Sequence, residues 1–466
     1  MIRNLICLPI LMLAISVILS SVVFLLPTPE GLTTAGQSAL SISILAVGLW
    51  STEVLPMAVT GMLVVVLLVV FGAVDNYQTA LYGFSQPVAY FLIGVLTIGL
   101  AVSKSGLANR LARFFLRRCG GRRRSLYTQL LLAFPVLTLV LPSATTRTGI
   151  LVHVYEQALE LSHVPADSHL ARAIMMALNS INRLASTVLL TGGITPIVSA
   201  SLIGNVSWSR WFVLMSVPYG VLLLLGAGLI YVLYRHGFAG PLLSVPATDG
   251  APLTAAERRT AIITVATSAL WLTDAWHHWH PALPALLAWI CLLAPGIGVL
   301  TWDQFEREIG WSNFFVLASS LSLAHALISS DAGAWLATRL MQQVPALQQH
   351  PLLVVLGLLL GSTPVRLLIP NITGFLAITI PIAMAIGDAS GLNPVVCGLL
   401  VMLVGDAVLY YPAQSASSLV VYVRGYLGAG EIFGFGVIMT VVAYIIVFGI
   451  ALPYWTLAGE PLSLQP

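Results

Sequence analysis

The sequence predicts an all-α integral membrane protein, with about eleven transmembrane helices plus two re-entrant hairpins in two inverted-topology repeats. Three observations carry that expectation. Charged residues make up 8% of the chain and hydrophobic residues 58%, against about 25% and 45–50% in soluble domains. Apolar runs long enough to cross a ~30 Å hydrocarbon core, about 20 residues each, recur along the whole length. Short motifs of the first half return in the second half in the same order.

The runs fall near residues 5–26, 37–55, 57–74, 87–106, 170–205, 211–234, 260–276, 282–300, 312–330, 392–423 and 431–455. The first follows Arg3 and is too long, with no small-residue cleavage site before Pro27, for a signal peptide. It reads as an uncleaved span. Two further stretches, 126–160 and 350–388, are interrupted near their middles by Pro, Ser, Thr and Arg. Chain that runs in, breaks and runs on has the form of a re-entrant hairpin. Its non-helical tip is tolerated at membrane depth only where protein or a water-filled cavity satisfies it.

Seven arginines (Arg110, Arg113, Arg117, Arg118, Arg122, Arg123, Arg124) fall in one loop, and Arg235, Arg258 and Arg259 in another. With Arg3 they place the N-terminus in the cytoplasm and, after an odd number of spans, the C-terminus outside. Arg110, Arg113 and Arg117 share one helical face, and Leu107, Leu111 and Phe114 another, the pattern of an interfacial amphipathic helix. Cys7, Cys119, Cys291 and Cys397 are scattered without metal-type spacing, so free thiols are expected. His277, His278 and His280 sit beside Trp276 and Trp279 and read as an interfacial belt, not a metal site. The net charge of +3 gives no reason to expect a nucleic-acid partner.

Trp50-Ser-Thr-Glu53 recurs as Trp271-Leu-Thr-Asp274. Leu141-Pro-Ser-Ala-Thr145 recurs as Ile369-Pro-Asn-Ile-Thr373, and Pro196-Ile-Val-Ser-Ala-Ser201 as Pro412-Ala-Gln-Ser-Ala-Ser417. The separations are 221, 228 and 216 residues. The stretch from Gln342 to His350 lacks the Lys and Arg of its basic counterpart around Arg117, which turns the two halves upside down relative to one another. The expected organisation is a first transmembrane helix in 1–36, repeat 1 in 37–234 with its hairpin near 126–160, a cytoplasmic linker in 235–259, and repeat 2 in 260–459 with its hairpin near 350–388.

Inverted repeats with paired broken segments mark secondary transporters with a site near the midplane. Two hairpin tips, around Ser143–Thr148 and Pro370–Gly374, and two helix breaks, around Thr191–Ser201 and Pro412–Ser418, supply the candidates. Half-helix N-termini offer N–H groups to carboxylates, and hydroxyls add donors. The substrate-binding candidates are Ser143, Thr145, Arg147, Thr148, Thr191, Gly192, Asn371, Thr373, Ser415 and Ser417. Arg183, Arg366 and Asp406 are possible additional charge partners, with Asp388 a further counterion. An intramembrane arginine costs about 2.5–3.5 kcal/mol on insertion scales and must face a partner or a cavity, and its fork matches a carboxylate. Arg147, beside Thr145 and Thr148, is the arginine expected to meet substrate.

At these motifs the sequence resembles the divalent anion/sodium symporter family, in particular its citrate and malate/2-oxoglutarate translocator branch. That branch's first hairpin reads Pro-Ser-Asn-Thr-Ala-Arg-Ser-Gly; here it is Pro142-Ser-Ala-Thr-Thr-Arg-Thr-Gly149, with Ala144 in place of asparagine. Leu190-Thr-Gly192 looks like the branch's Phe-Leu-Thr-Gly, though the asparagine that follows in the family is replaced by Thr195 or Pro196. Trp50-Ser-Thr-Glu53-Val-Leu-Pro56, Gly425-Tyr-Leu-Gly-Ala-Gly-Glu431 and Tyr454-Trp-Thr-Leu-Ala-Gly459 are also similar. The likeness runs from about residue 37 to 459. It implies a homodimer with a mobile transport domain working as an elevator, and dicarboxylate or tricarboxylate substrates.

The resemblance also implies sodium as a possible coupling ion, with Ser143, Thr145, Asn371 and Thr373 as candidate ligands. The asparagines missing at the first tip and at the second helix break, where Ser417 and Ser418 stand, make exchange or proton coupling a rival.

The expectation is therefore a carboxylate-anion transporter of a bacterial inner membrane, a sodium symporter or an exchanger, with no cofactor and no enzymatic activity. A cation/proton antiporter is the alternative, for which only Asp406 is well placed. A membrane-embedded enzyme acting on lipid-linked substrates comes last, because no sizeable extramembrane loop carries clustered acids or histidines.

Overall fold

The computed structural model describes residues 2–141, 143–204, 206–242, 252–343 and 350–463, and the side chains of these from residue 11 onward. Pro142 at the first expected tip and the side chain of Cys7 therefore lie outside the described residues. Among the described residues there is no strand, only the isolated bridges Arg122–Pro241 and Leu392–Ser463. That is the outcome bilayer chemistry dictates, since a helix satisfies its own backbone within one segment.

The helices follow in order: α1 Ile2–Leu25, α2 Thr34–Thr52, α3 Met57–Val70, α4 Pro87–Lys104, α5 Leu107–Arg117, α6 Arg123–Val140 and α7 Ala144–Leu161. Next come α8 (169–187), α9 Ile194–Ile203 and α10 Trp208–Leu233. The second half holds α11 Ala255–Leu272, α12 Ala282–Leu293, α13 Trp311–Ser329, α14 Ala332–Gln343, α15 Pro351–Leu368 and α16 Ile372–Ala389. It closes with α17 Pro394–Ala407, α18 Ala416–Tyr422 and α19 Ala429–Leu457. Six of these are long and apolar enough to cross a membrane, and five shorter apolar stretches accompany them. Large side chains such as Leu224, Ile262, Val265 and Ile445 lie exposed on the outside, a surface that only hydrocarbon solvates well.

Local sequence explains the boundaries. Thr33 caps α2 by accepting from the Gly36 N–H at 2.9 Å, and Thr254 and Glu257 form a reciprocal capping box at the start of α11. The arm helix α5 buries Leu107, Ala108, Ala112, Phe115 and Leu116. Phe114, expected on the apolar face, instead lies 44% exposed under Arg118, whose guanidinium carbon is 4.1 Å from the ring centre. Arg110 grips Glu257 with two hydrogen bonds of 2.8 and 2.9 Å, tying the arm to α11.

Both expected hairpins are helix pairs, α6–α7 and α15–α16, each with a proline inside the incoming helix (Pro135 and Pro364). The long runs 170–205 and 392–423 are each split in two, at 188–193 and 408–415. The first break was expected further along. Residues 194–201 are helical, because Pro196 sits at the third position of α9, where its missing N–H removes no intrahelical bond. Ser417 and Ser418 likewise lie inside α18.

Within α8, residues Ala177–Ile181 form a π-helical turn. Cys119 and Cys397 are buried free thiols and Cys291 a half-buried one. The His277 ring bonds the Leu270 carbonyl at 2.8 Å and packs on Trp279.

A candidate substrate cavity where four helices begin

The two tips and the two breaks meet at one cavity of about 280 Å³. Four helix starts line it: Ser143 to Thr145 of α7, Gly193 to Pro196 of α9, Asn371 to Thr373 of α16, and Ser415 to Ser417 of α18. Each start carries N–H groups without intrahelical partners and the positive end of the helix dipole. The hairpin helices cap themselves. Ser143 Oγ accepts from the Thr146 N–H at 3.3 Å, and Asn371 Oδ1 from the Thr373 N–H at 2.9 Å. Neither α9 nor α18 has a side-chain cap, so their first-turn donors are left to a ligand or water. Gly374 lets α16 begin hard against α2, since a Cβ there would lie 2.8 Å from the Trp50 ring.

Charge sharpens the picture. Arg183, Arg366 and Asp406 all line the cavity. Arg183 Nη1 meets Asp406 Oδ1 at 3.1 Å, and the Thr187 hydroxyl donates to Asp406 Oδ2 at 2.6 Å, a buried link between α8 and α17. The Arg183 Nε–H is buried without a partner. Arg366 is 1% exposed and donates only to carbonyls: Gly405 at 2.9 Å, Ile369 at 2.7 Å and Pro370 at 3.0 Å. Gln414 holds the Arg366 carbonyl at 2.8 Å and accepts from the Tyr410 N–H at 2.7 Å. The cavity wall thus carries two guanidinium groups and one carboxylate. Asp388, the other expected counterion, is exposed elsewhere.

Of the predicted residues, Ser143, Thr145, Asn371, Thr373, Ser415, Ser417, Arg183, Arg366 and Asp406 come together here. Arg147, Thr148, Thr191 and Gly192 do not. Arg147, expected to meet substrate, is fully buried behind the first tip. It donates to Asn182 Oδ1 at 2.6 Å, to the carbonyls of Leu141 at 2.9 Å and Asn182 at 3.1 Å, and to Ser186 Oγ at 2.5 Å. Thr148 accepts from Asn182 Nδ2 at 2.7 Å and Thr191 from Trp208 Nε1 at 3.3 Å. Gly192 packs so closely that a Cβ would lie 2.0 Å from the Ser186 carbonyl. These four build the frame of the cavity.

Sequence reasoning missed Asn182, Ser186, Thr187, Asn179 and Gln414. Asn179 accepts from the Ser418 hydroxyl at 2.5 Å, joining α8 to α18. The π-helical turn sets the register that turns Asn179, Asn182, Arg183, Ser186 and Thr187 inward, a use such turns often have. The signal was present: six polar residues within nine positions (179–187) of an otherwise apolar run have no place against lipid.

The architecture and the cavity define a class, a multi-pass helical membrane transporter. The chain belongs to the family described as the sodium:sulfate symporter transmembrane region, whose model matches residues 9–460. It is accordingly a transporter and not an enzyme. It is 23% identical to a protein described as a membrane protein from Cupriavidus necator, over 94% of this chain and 91% of that one. It is 23% identical to the citrate/succinate antiporter of Escherichia coli K12, over 91% of this chain and 93% of that one. It is also 23% identical to the chloroplastic dicarboxylate transporter 2.2 of Arabidopsis thaliana, over 96% of this chain and 84% of that one. The crystal structure of the Alcanivorax borkumensis YdaH transporter superposes with a TM-score of 0.50 at 15% identity, covering 92% of this chain and all of that one.

Proposed function

We propose that the chain is a secondary active transporter that exchanges small dicarboxylate or tricarboxylate anions across a bacterial inner membrane. The observation that carries this reading is the cavity itself, where four helix starts and two guanidinium groups surround a single carboxylate. Such a site attracts an anion of more than one charge and resists a cation. The names of the two similar transporters, citrate/succinate and dicarboxylate, agree with that chemistry.

The bound carboxylates would take the N–H groups at the starts of α9 and α18, the hydroxyls of Ser143, Thr145, Thr373 and Ser417, and the free edges of Arg183 and Arg366. Arg366 supports exchange over net uptake. Without an anion it has no carboxylate among its partners, and carrying an uncompensated guanidinium through the bilayer costs several kcal/mol. With the anion bound, that charge is offset and the loaded carrier can cross. The moving body would comprise the two hairpins and the two broken helices, sliding as an elevator against the remaining helices in a homodimer. Two inverted repeats, 37–234 and 260–459, would supply the matching halves, with the N-terminus cytoplasmic and the C-terminus outside.

Sodium symport is the second reading, favoured by the family's description. Of the expected ligands Ser143, Thr145, Asn371 and Thr373, the hydroxyls of Thr145 and Thr373 would be the oxygens left to hold the ion. The side-chain oxygens of Ser143 and Asn371 are already engaged as helix caps. A cation/proton antiporter would need a carboxylate free to exchange protons, whereas Asp406 is held by Arg183 and Thr187.

Radiolabelled succinate and citrate uptake into proteoliposomes tests the proposal, with and without internal unlabelled anion and with and without an inward sodium gradient. Exchange requires uptake that depends on internal anion and ignores sodium. Sodium-driven accumulation into empty vesicles establishes the symporter instead. Failure to move either anion under any condition overturns the carboxylate reading.

A further inference from the structure

Away from the substrate cavity, an apolar void of about 350 Å³ lies between α14, the two arms of the second hairpin and α17. Leu340, Val354, Leu358, Ile382, Ala383 and Val401 line it. Its two hydroxyls are turned away into their own helices: Ser362 donates to the Leu359 carbonyl at 3.1 Å and Thr379 to the Phe375 carbonyl at 2.7 Å. The void has the size of a small-molecule site, about 300–1,000 Å³. Its origin is an asymmetry between the halves. The arm α5 packs against both α6 and α7, whereas α14 packs against α16 and stands off α15.

We propose that this void is a binding site for one acyl chain of a membrane lipid. Water needs two to four polar partners, and the lining offers it only the oxygens of Ser362 and Thr379, whose hydroxyls are already spent on their own helices, so the void is a poor site for water. Left empty, the walls would forfeit their dispersion contacts. The mouth decides the occupant. Gly357 and Gly361 are exposed, lie on one face of α15 at helical i, i+4 spacing, and leave a gap; a Cβ built on Gly361 meets nothing within 4 Å. Near them Leu353, Leu360 and Leu368 stand 40%, 56% and 56% exposed on the same helix, one long and apolar enough to cross a membrane. The opening is therefore continuous with the hydrocarbon-facing surface, where the mobile apolar molecule is lipid, and a lipid tail is as apolar as the leucines it would touch.

The test is photolabelling of the full chain in nanodiscs with a phosphatidylcholine carrying a diazirine on its acyl chain, followed by peptide mapping. Ordinary boundary lipid reaches outer residues such as Leu224 and Ile445. Only an inserted tail reaches Val354, Ala383 and Val401, which are 2%, 1% and 1% exposed. Adducts on those three are expected in the wild-type chain. They should be lost in Gly361→Phe, which fills the void from its mouth, and kept in Gly434→Phe, a glycine on α19 that also has open space at its Cβ. Gly361→Leu serves if the phenylalanine variant does not fold. Labelling confined to the outer residues of the wild type overturns the proposal, as does labelling of the three that survives in a folded Gly361 variant.

Discussion

The two hairpin tips use the same device for different ends. Each is pinned by a fully buried arginine that donates to tip carbonyls and reaches across to a broken helix. At the first tip the arginine follows the turn, in α7, and Arg147 spends its donors on Asn182, Ser186 and Leu141 behind the wall. At the second it precedes the turn, in α15, and Arg366 keeps a face on the cavity while its backbone carbonyl is held by Gln414. The same residue type near the same turn is a fastener on one side and, in the proposed function, a charge offered to the ligand on the other. What separates them is that the neighbours of Arg147 engage all three of its nitrogens, whereas those of Arg366 engage Nε and Nη1.

The contrast can be broken in several ways, and the largest effect is expected at the fastener. Arg147→Ala leaves the Asn182 amide oxygen, the Ser186 hydroxyl and the Leu141 carbonyl without their donor. Unsatisfied buried groups cost about 1–3 kcal/mol each, so a loss of about 3 kcal/mol or more is expected. It should appear as a large fall in thermal midpoint in detergent, while surviving folded protein retains its KM. Arg366→Gln leaves the Gly405, Ile369 and Pro370 carbonyls without their donor and should also destabilise, but it adds an effect on binding. A charge-assisted contact is worth about 1.5–3 kcal/mol, so KM for the transported anion should rise about 10- to 100-fold in proteoliposome exchange, and Arg366→Lys should recover part of it. Equal KM effects at both arginines would refute the division of roles.

Smaller changes sharpen it. Asp406→Asn frees Arg183 for the ligand and leaves the cavity one charge more positive. On the order of 1 kcal/mol of added attraction should lower KM several-fold, at some expense of stability; an unchanged KM would mean the substrate does not meet Arg183. The smallest effect is expected at the caps, where Ser143→Ala should cost about 1 kcal/mol of stability. Ser415→Ala removes no helix cap, so its midpoint should stay close to wild type by the same assay.

Much of the fold was legible because bilayer constraints write themselves into composition, and the helical class and the two helix pairs interrupted near their middles followed from apolar runs with polar interruptions. Nine candidate residues reached the cavity for the same reason, since hydroxyls and charges in an apolar run must face inward. What was not legible was orientation. Arg147 and Arg366 differ by partners that only the packed structure brings together, and Asn182 lies 35 residues from the arginine it holds. Pro196 misled because proline at the start of a helix and proline at its end look alike in sequence. The π-helical turn in α8, which sets the inward register of five polar side chains, leaves no sequence pattern of its own.

Where the second tip touches α3, the polar contact is the Asn371 amide against the Met57 sulfur at 3.2 Å, a weak acceptor. The rest of that wall presents Leu92, Leu96 and Val316, and from the start of α13 Ser312 and Asn313, to the cavity. Oily side chains over a soft thioether hold no preferred register, which leaves Ser312 and Asn313 as the polar groups on that wall able to set one. In the proposed motion that seam would behave as a low-friction bearing, in which neighbouring positions differ little in energy. The resting place of the moving body would then be set less by latches at the seam than by what occupies the site and how it balances Arg366.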